Sequence, residues 1–186
     1  MYIVKTARLG LRRMRGSDLD DFHEIWSNQN AIKWTSYDVS RTLEDSRFWL
    51  DSLSPRPENP EPHNYGVFLR LPAGEEGPSD VGNHRMIGIV GAFRSTGAEA
   101  GYIFNESFWG HGYASEALEA FLDIHWQQRV TQDSTLPQTV SARVDPDNPA
   151  SVRVLRKCGF KDVERLSRGL GKGDLLLLRV ENPGVE

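Results

Sequence analysis

The amino-acid sequence predicts an α/β (α+β) fold of about seven strands and about four helices. Short segments in which apolar and polar residues alternate, as in a strand, are interspersed with longer segments whose apolar residues recur every three to four positions. Hydrophobic residues make up 38% of the 186 residues, and 17 glycines raise the apolar share to that of ordinary globular proteins. A chain of this length most simply forms one domain, residues 1–186, whose core needs no disulfide or structural metal.

The charge and the cysteine content limit the expected partners. The formal net charge is −4, so no overall positive field attracts nucleic acid or an anionic membrane, and an amine substrate is favoured. The opening MYIVKTARLG lacks the apolar core of a secretory signal, and the LLLL run at 175–178 is far shorter than a membrane span. Cys158 is the single cysteine and can form no intrachain disulfide. We therefore expect a cytoplasmic protein that is a monomer or a homodimer.

The first half of the chain contains both helical and strand-like segments. RLGLRRM (8–14) alternates like a strand, and Ser17 followed by three aspartates marks the start of a helix that runs to about Asn28. A second helix is indicated over 42–53. Three strands follow, the last two as antiparallel neighbours: YGVFLR (65–70), MIGIVGAF (86–93) and AEAGYIF (98–104). Two segments rich in proline, glycine and charge should be exposed loops, 54–64 and 72–85.

The second half begins with an amphipathic helix that starts just after Gly112. One face of this helix carries its apolar residues, among them Ala117, Leu118, Phe121 and Leu122. A strand follows at 138–144, and DNPASVRVLRKCGF contains both ends of a helix over about 149–158. Asn148 before Pro149 is typical of a helix start, and Gly159 suits the left-handed residue after a helix, with Phe160 placed to touch Leu155. KDVERL and GDLLLLRV close the chain as two strands.

The junction FWGHGYASEAL (108–118) is the candidate binding site, because it places Gly110 and Gly112 directly before a helix. Backbone N–H groups at a helix start lack internal partners and lie at the positive end of the dipole, so they suit a phosphate or pyrophosphate. A tight turn that needs glycine only to relieve strain would show the same residues. A P-loop is excluded because G-x-x-x-x-G-K-[ST] is absent, and a dinucleotide fingerprint fits poorly, with Ser115 at its third position.

Two longer segments identify a family resemblance. AEAGYIFNESFWGHGYASEAL, followed about 25 residues later by ARVDPDNPASVRVLRKCGF, resembles the GNAT superfamily of N-acetyltransferases, in particular its ribosomal-protein-acetylating (RimJ/RimL-like) branch. The opening TARLGLRRMRGSDLDDFHEIW is also similar to that branch, so the resemblance covers nearly the whole chain apart from the two loops. It implies a GNAT-type mixed, strongly twisted central sheet flanked by helices. It also implies acetyl-CoA as cosubstrate and direct acetyl transfer, in a ternary complex, to a small-molecule amine or a protein N-terminus.

The same resemblance assigns residues to the coenzyme. Ser107 stands where many members have Gln or Arg, which affects a side-chain contact but not a backbone cradle. The backbone of Ile103 and Phe104 would bind the pantetheine arm as if it were another strand. Asn148 and Ser151 match the N-x-x-S sequence that faces the coenzyme in the family, and a role of Asn148 as helix cap is compatible with this. The pyrophosphate would be held by the N–H groups around Gly110, His111, Gly112, Tyr113 and Ala114.

The chemistry of acetyl transfer points to two catalytic candidates. The attacking amine must be neutral, and Glu99 is the candidate base, acting through water, because alternation places it on the face of Gly101 and Ile103. A solvated strand carboxylate is the alternative. Many GNAT members protonate the leaving thiolate with a tyrosine from the last helix, where this chain has Leu155, so Ser151 or water is the expected substitute. An unpaired strand N–H near Ile103 would polarise the acetyl oxygen.

Other residues and other functions stay open. The five histidines show no ligand spacing, so no metal is expected, and Cys158 is interpreted as a packed residue. Aromatic residues either wall an acceptor groove or pack in the core: Trp26, Trp34, Tyr37 and Trp49. Arg153, Arg156 and Lys157 form a solvated helix face or reach the outer phosphate. A non-catalytic acyl-CoA sensor and an NAD(P)H-dependent oxidoreductase are the alternative functions.

Overall fold

The computed structural model describes residues 1–57, 63–70, 85–92, 99–131, 135–169 and 173–184. The strands are β1 (Val4–Lys5), β2 (Leu9–Arg12), β3 (Asn64–Leu69), β4 (Met86–Ala92), β5 (Ala100–Phe104), β6 (Thr139–Val144), β7 (Lys161–Leu166) and β8 (Leu175–Glu181). The helices are α1 (Leu19–Trp26), α2 (Gln29–Ile32), α3 (Leu43–Leu53), α4 (Tyr113–Thr131) and α5 (Pro149–Lys157), with 3-10 turns at Gly16–Asp18 and Glu106–Phe108. The α/β class is confirmed. The elements beyond the expected number, β1 and α2, span two and four residues and are too short to show a period.

The strands form two antiparallel sheets that meet at one point. The first has the order β1-β2-β3-β4-β5 and the second the order β6-β8-β7. Among the described residues, one parallel bridge, Glu99 with Ser141, joins them just before β5 and β6 diverge, and it supplies the mixed character expected of the sheet. Beyond this bridge β5 and β6, the adjacent edge strands of the two sheets, separate and leave a gap between them.

Two apolar clusters pack on opposite faces of the five-stranded sheet. One joins the sheet to α4, α5 and β6, with Leu118 and Phe121 fully or almost fully buried. The other joins it to α1 and α3 through Phe22, Trp26 and Leu50. Within β5, Ala100 and Phe104 belong to the first cluster and Ile103 to the second. Alternation in β5 thus directs these side chains to opposite faces of the sheet.

The ends of α5 confirm the features expected from the sequence. The Asn148 side chain accepts a hydrogen bond from the Ser151 N–H at 3.1 Å, and Pro149 is the first helical residue. At the other end, Gly159 has φ of +86°, and the N–H of Phe160 donates to the Leu155 carbonyl at 3.1 Å. Together with the bond from the Gly159 N–H to the Arg156 carbonyl at 3.1 Å, this bond forms a Schellman motif, which ends the helix at a defined residue.

The start of α1 differs from the expectation. Ser17 does not cap the helix; it lies in a 3-10 turn, and the α-helix begins at Leu19. The buried Asp18 carboxylate instead receives the Arg12 guanidinium, at 2.7 and 2.8 Å, and the N–H of Arg15 at 2.8 Å. A charge-assisted pair with β2 therefore replaces the local cap.

The two expected loops lie largely outside the described residues. From 54–64 the structure describes 54–57 and 63–64, and Asn64 is buried as the first residue of β3. From 72–85 it describes only Arg85, which is exposed. No helix within the described ranges is both long and apolar enough to span a membrane.

Candidate functional site

A cavity of about 790 Å³ occupies the gap between β5 and β6. Its walls come from β5 and β6, from the loop that leads into α4, from the first turns of α4 and α5, and from α2 and the residues after it. Cavities of this size accommodate a ligand larger than a single metabolite fragment. The cavity brings together nine of the ten site residues expected from the sequence: Glu99, Ile103, Phe104, Gly110, Gly112, Tyr113, Ala114, Asn148 and Ser151.

The glycine loop at the end of β5 is built to leave backbone N–H groups exposed. The Asn105 side chain accepts from the Ser107 N–H at 3.0 Å and starts the 3-10 turn, after which Gly110 and Gly112 take φ values of +78° and +79°. This left-handed conformation is strained for other residues. The first hydrogen bond of the helix runs from the Glu116 N–H to the Gly112 carbonyl at 3.2 Å, so the N–H groups of 113–115 have no partner within the helix.

Arg8 fixes the loop from the side, a contact the sequence did not reveal. Its guanidinium donates to the His111 carbonyl at 2.9 Å and to the Glu116 carboxylate at 2.7 Å, and it lies 4.7 Å from the centre of the Tyr113 ring. Burial raises the pKa of Glu116, but the hydrogen bonds from Thr6 and Arg8 outweigh it and leave this pKa below its usual value. The carboxylate is therefore charged at neutral pH and holds Arg8 in place.

The backbone of β5 presents alternate residues to the gap. The Asn105 N–H donates to the Ile87 carbonyl at 2.9 Å, and the register pairs Ile103 with Ile89 and Phe104 with Gly88. Because hydrogen-bonded pairs alternate in an antiparallel ladder, the N–H and C=O of Ile103 point to β4, whereas those of Tyr102 and Phe104 point to the gap. The prediction that the backbone of Ile103 binds the pantetheine arm is therefore corrected: the backbone groups that face the gap belong to Tyr102 and Phe104. The Phe104 carbonyl accepts from the Trp109 indole N–H at 2.9 Å. The Phe104 N–H is therefore the backbone group of this residue that can bind a ligand in the gap.

Glu99 lies at the bridge between the sheets and faces an arginine. The Arg143 guanidinium donates to both oxygens of the Glu99 carboxylate, at 2.6 and 3.1 Å. Both side chains are partly exposed, 22% for Glu99 and 28% for Arg143. This two-point contact orients the Glu99 carboxylate.

Ser151 on α5 faces Tyr102 on β5. The Tyr102 Oη lies 2.6 Å from the Ser151 Oγ and 3.2 Å from the Ser151 carbonyl oxygen, and its one hydrogen can be donated to either. Burial raises the pKa of the Tyr102 hydroxyl well above its usual value, although the hydrogen bond with Ser151 lowers it in part. Tyr102 therefore stays protonated at neutral pH. The sequence pattern places this residue in a strand and does not identify it as part of the site.

The acceptor side of the cavity is aromatic and polar. Of the four aromatic candidates, Trp34 and Tyr37 line the cavity, and Trp34 is 41% exposed. Trp26 is fully buried and stacks on Phe22, with ring centres 4.5 Å apart, so it belongs to the core. Trp49 packs against Tyr37 at 4.9 Å and supports the wall without lining it.

The residues around α5 separate into a rim and a packed interior. Arg153 and Lys157 are exposed and line the cavity, whereas Arg156 binds Asp162 on β7 at 2.7 Å. Cys158 is buried, and its burial, followed by the nearby Glu119 carboxylate, raises its pKa to about 12. The cysteine is thus a weak nucleophile. Within the part of the chain that the structure describes, no cluster of three or more His, Cys, Asp or Glu could hold a metal ion.

Comparison with known proteins gives consistent matches. The family model for an acetyltransferase (GNAT) domain matches residues 8–161. The uncharacterized protein YkkB of Bacillus subtilis (strain 168) is 41% identical over 157 residues, which are 83% of this chain and 83% of that protein. A GNAT-family acetyltransferase from Bacillus anthracis has the same fold, with a TM-score of 0.72, 24% identity and coverage of 98% and 99% of the two chains. RimL, a ribosomal L7/L12 alpha-N-protein acetyltransferase solved with coenzyme A, has a TM-score of 0.67, 20% identity and coverage of 97% and 98%.

Proposed function

The chain belongs to the GNAT acetyltransferase family, and we propose that it transfers the acetyl group of acetyl-CoA to a primary amine in a ternary complex. One observation carries this proposal: the glycine loop at the start of α4, the Glu99 carboxylate and the Ser151 hydroxyl open onto the same cavity. An anion site, a base and a hydroxyl donor are the groups that acetyl transfer from a coenzyme thioester requires. We place the reaction in the cytoplasm.

The coenzyme would lie along the gap between β5 and β6. The N–H groups of Gly110, His111, Gly112, Tyr113 and Ala114 would hold its diphosphate at the positive end of the α4 dipole. The Phe104 N–H and the backbone of Tyr102 would bind the pantetheine arm as a neighbouring strand does. One of these gap-facing N–H groups would polarise the acetyl oxygen. Arg153 and Lys157 lie on the exposed rim, where an outer phosphate would end.

The chemistry then divides between the two faces of β5. On the Glu99 face, the amine attacks the acetyl carbon, a C–N bond forms, and the proton of the attacking nitrogen passes through water to Glu99. On the Ser151 face, the C–S bond breaks, its electron pair stays on sulfur, and the Ser151 O–H donates to the thiolate. An α-amino group with a pKa of about 7.7–8.0 needs less help from a base at neutral pH than a lysine amine near 10.4.

The acceptor and the branch of the family are proposed from the solved structures that share this fold. RimL acts on a protein N-terminus according to its name, and it is one of the chains that share this fold. This supports a RimL-like protein N-terminal acceptor, with a small-molecule amine as the alternative. Trp34 and Tyr37 line the same cavity as Glu99 and offer flat apolar surfaces that either acceptor could use. The antiparallel sheets do not match the mostly parallel sheet of the Rossmann dinucleotide-binding fold, which argues against an NAD(P)H-dependent oxidoreductase of that type.

Thermal unfolding with acetyl-CoA and, separately, with NADH tests the coenzyme. At about 100 times its Kd, acetyl-CoA adds about 2.7 kcal/mol to the free energy of unfolding, a rise in Tm of about 5–10 °C. We expect that rise with acetyl-CoA and none with NADH. A shift with NADH alone would overturn the proposal.

Release of coenzyme A thiol, measured with a panel of peptides, polyamines and amino sugars, tests the reaction. Glu99→Gln should lower kcat by about 100-fold or more and leave the Kd for acetyl-CoA unchanged, because the amide can still accept from Arg143 but binds no proton. Glu164→Gln, an exposed change on β7, is the control and should behave like the wild type. Acetyl-CoA binding without turnover on any amine would favour a non-catalytic sensor.

A further inference from the structure

The Tyr102 hydroxyl lies within hydrogen-bond distance of two atoms of Ser151, the proposed partner of the leaving group. Its Oη lies 2.6 Å from the Ser151 Oγ and 3.2 Å from the Ser151 carbonyl oxygen. The ring packs against the apolar cluster on the α4 and α5 side of the sheet, and both hydroxyls border the cavity. Neither hydroxyl is therefore a surface group with free rotation in water.

The two hydroxyls carry one hydrogen each, and their direction matters. If Ser151 donates to Tyr102, and Tyr102 to the carbonyl, no hydroxyl hydrogen points to the coenzyme. If Tyr102 donates to the Ser151 Oγ, the Ser151 O–H is free to donate into the cavity. The Ser151 backbone is held in either case by the Asn148 side chain, which accepts from its N–H at 3.1 Å.

We propose that Tyr102 is a positioning residue, which donates its hydroxyl hydrogen to the Ser151 Oγ so that the Ser151 O–H donates to the departing coenzyme A thiolate. This inference rests on the proposed function and adds a residue to it. A hydroxyl that accepts one hydrogen bond becomes a better donor in the next, because bonds in a chain polarise one another. The tyrosine thus strengthens the serine as well as orienting it.

The pair holds the thiolate without protonating it. A cysteine thiol has a pKa of about 8.5 and a free tyrosine hydroxyl one of about 10. Burial moves the pKa of Tyr102 further up, and a serine hydroxyl is a weaker acid still. A proton transferred from Tyr102 to sulfur would therefore run uphill. When the C–S bond breaks, the electron pair stays on sulfur as a hydrogen-bonded thiolate, which takes a proton from water after release.

A titration of bound coenzyme A tests this arrangement independently of turnover. The ultraviolet absorbance of the thiolate, with the titration of the protein alone subtracted, gives the pKa of the bound thiol. In the wild type, we expect it below the pKa of free coenzyme A titrated in the same buffer. It should rise towards that value in Tyr102→Phe, in Ser151→Ala and to the same extent in the double variant. Tyr2→Phe, whose ring packs on Phe68 away from the cavity, is the control.

Kinetics supply the second readout. Tyr102→Phe should lower kcat by about 10-fold with unchanged KM for acetyl-CoA and a Tm only a few degrees lower, and it should have no further effect on kcat in the Ser151→Ala background. Independent, additive effects of the two changes, or a bound-thiol pKa that Tyr102→Phe leaves in place, would overturn the role of Tyr102. If the wild type has no turnover but the thiol pKa shifts as expected, the acetyltransferase proposal fails and the role of the pair stands.

Discussion

Replacement of Gly112 tests whether glycine is needed there for the left-handed backbone conformation or for the close approach of the coenzyme diphosphate. A Cβ there would meet only the Arg8 Nη2, at 3.6 Å, an ordinary van der Waals distance, so the free protein has room for a side chain. The backbone φ of +79° is the remaining obstacle. Alanine in this conformation costs about 1–2 kcal/mol, or about 2–8 °C in Tm for a chain of this size. Asparagine tolerates the left-handed region and should lose less.

Gly112→Ala and Gly112→Asn should differ in stability, but both should weaken acetyl-CoA binding to the same extent. If the diphosphate approaches the backbone at Gly112, any Cβ displaces it from one hydrogen bond to a charged group. That loss amounts to about 1.5–3 kcal/mol, or a Kd for acetyl-CoA about 10- to 150-fold higher in Gly112→Ala and Gly112→Asn alike. Isothermal titration calorimetry and thermal unfolding measure the two quantities separately.

Gly169 is the matched control. It has a φ of +87°, its Cβ would meet no atom of the described residues within 4 Å, and it is not among the residues that line the cavity. Gly169→Ala should lower Tm to a similar degree as Gly112→Ala and leave the Kd unchanged. Wild-type affinity in Gly112→Asn would show that the glycine serves only the turn and would refute the backbone cradle.

Three further predictions concern the surroundings of the site. Arg8→Ala removes the donor to the His111 carbonyl, so the Kd for acetyl-CoA should rise several-fold in calorimetry, and an unchanged Kd would show that the loop holds its shape alone. Burial lowers the pKa of His125 below its usual 6.5, although the Pro137 carbonyl opposes the shift. Because the unfolded histidine binds a proton more readily than the folded one, the free energy of unfolding should fall as pH drops from about 6.5 through the folded pKa. His125→Gln should flatten this dependence in denaturant titrations, and the same slope in the variant would exclude His125 as its source. Burial and Glu119 raise the pKa of Cys158 to about 12, so a thiol reagent should label it only on unfolding, and rapid labelling of the native protein would contradict its burial.

Local features of the sequence were sufficient for most elements. The cap at Asn148, the proline after it and Gly159 place both ends of α5, because each acts on the backbone within a few residues. Gly112 marks the start of α4 for the same reason. The prediction of a helix start at Ser17 was wrong because the adjacent Asp18 pairs with Arg12, which belongs to another element.

The contacts that define the site are long-range, and periodicity does not contain them. Glu99 and Arg143 are 44 positions apart, Tyr102 and Ser151 are 49, and Arg8 and Glu116 are 108. The correction at Ile103 has a similar origin, because the ladder partner of β5 decides which backbone groups face the gap. A strand pattern identifies the face of each side chain but not the direction of each N–H.

A crystal structure with bound coenzyme A tests most directly whether backbone N–H groups hold the diphosphate. We expect diphosphate oxygens within about 2.7–3.2 Å of the backbone nitrogens of residues 110–114, and the thiol near the Ser151 hydroxyl. A diphosphate bound mainly by side chains, or a coenzyme that avoids the gap between β5 and β6, would contradict the proposal.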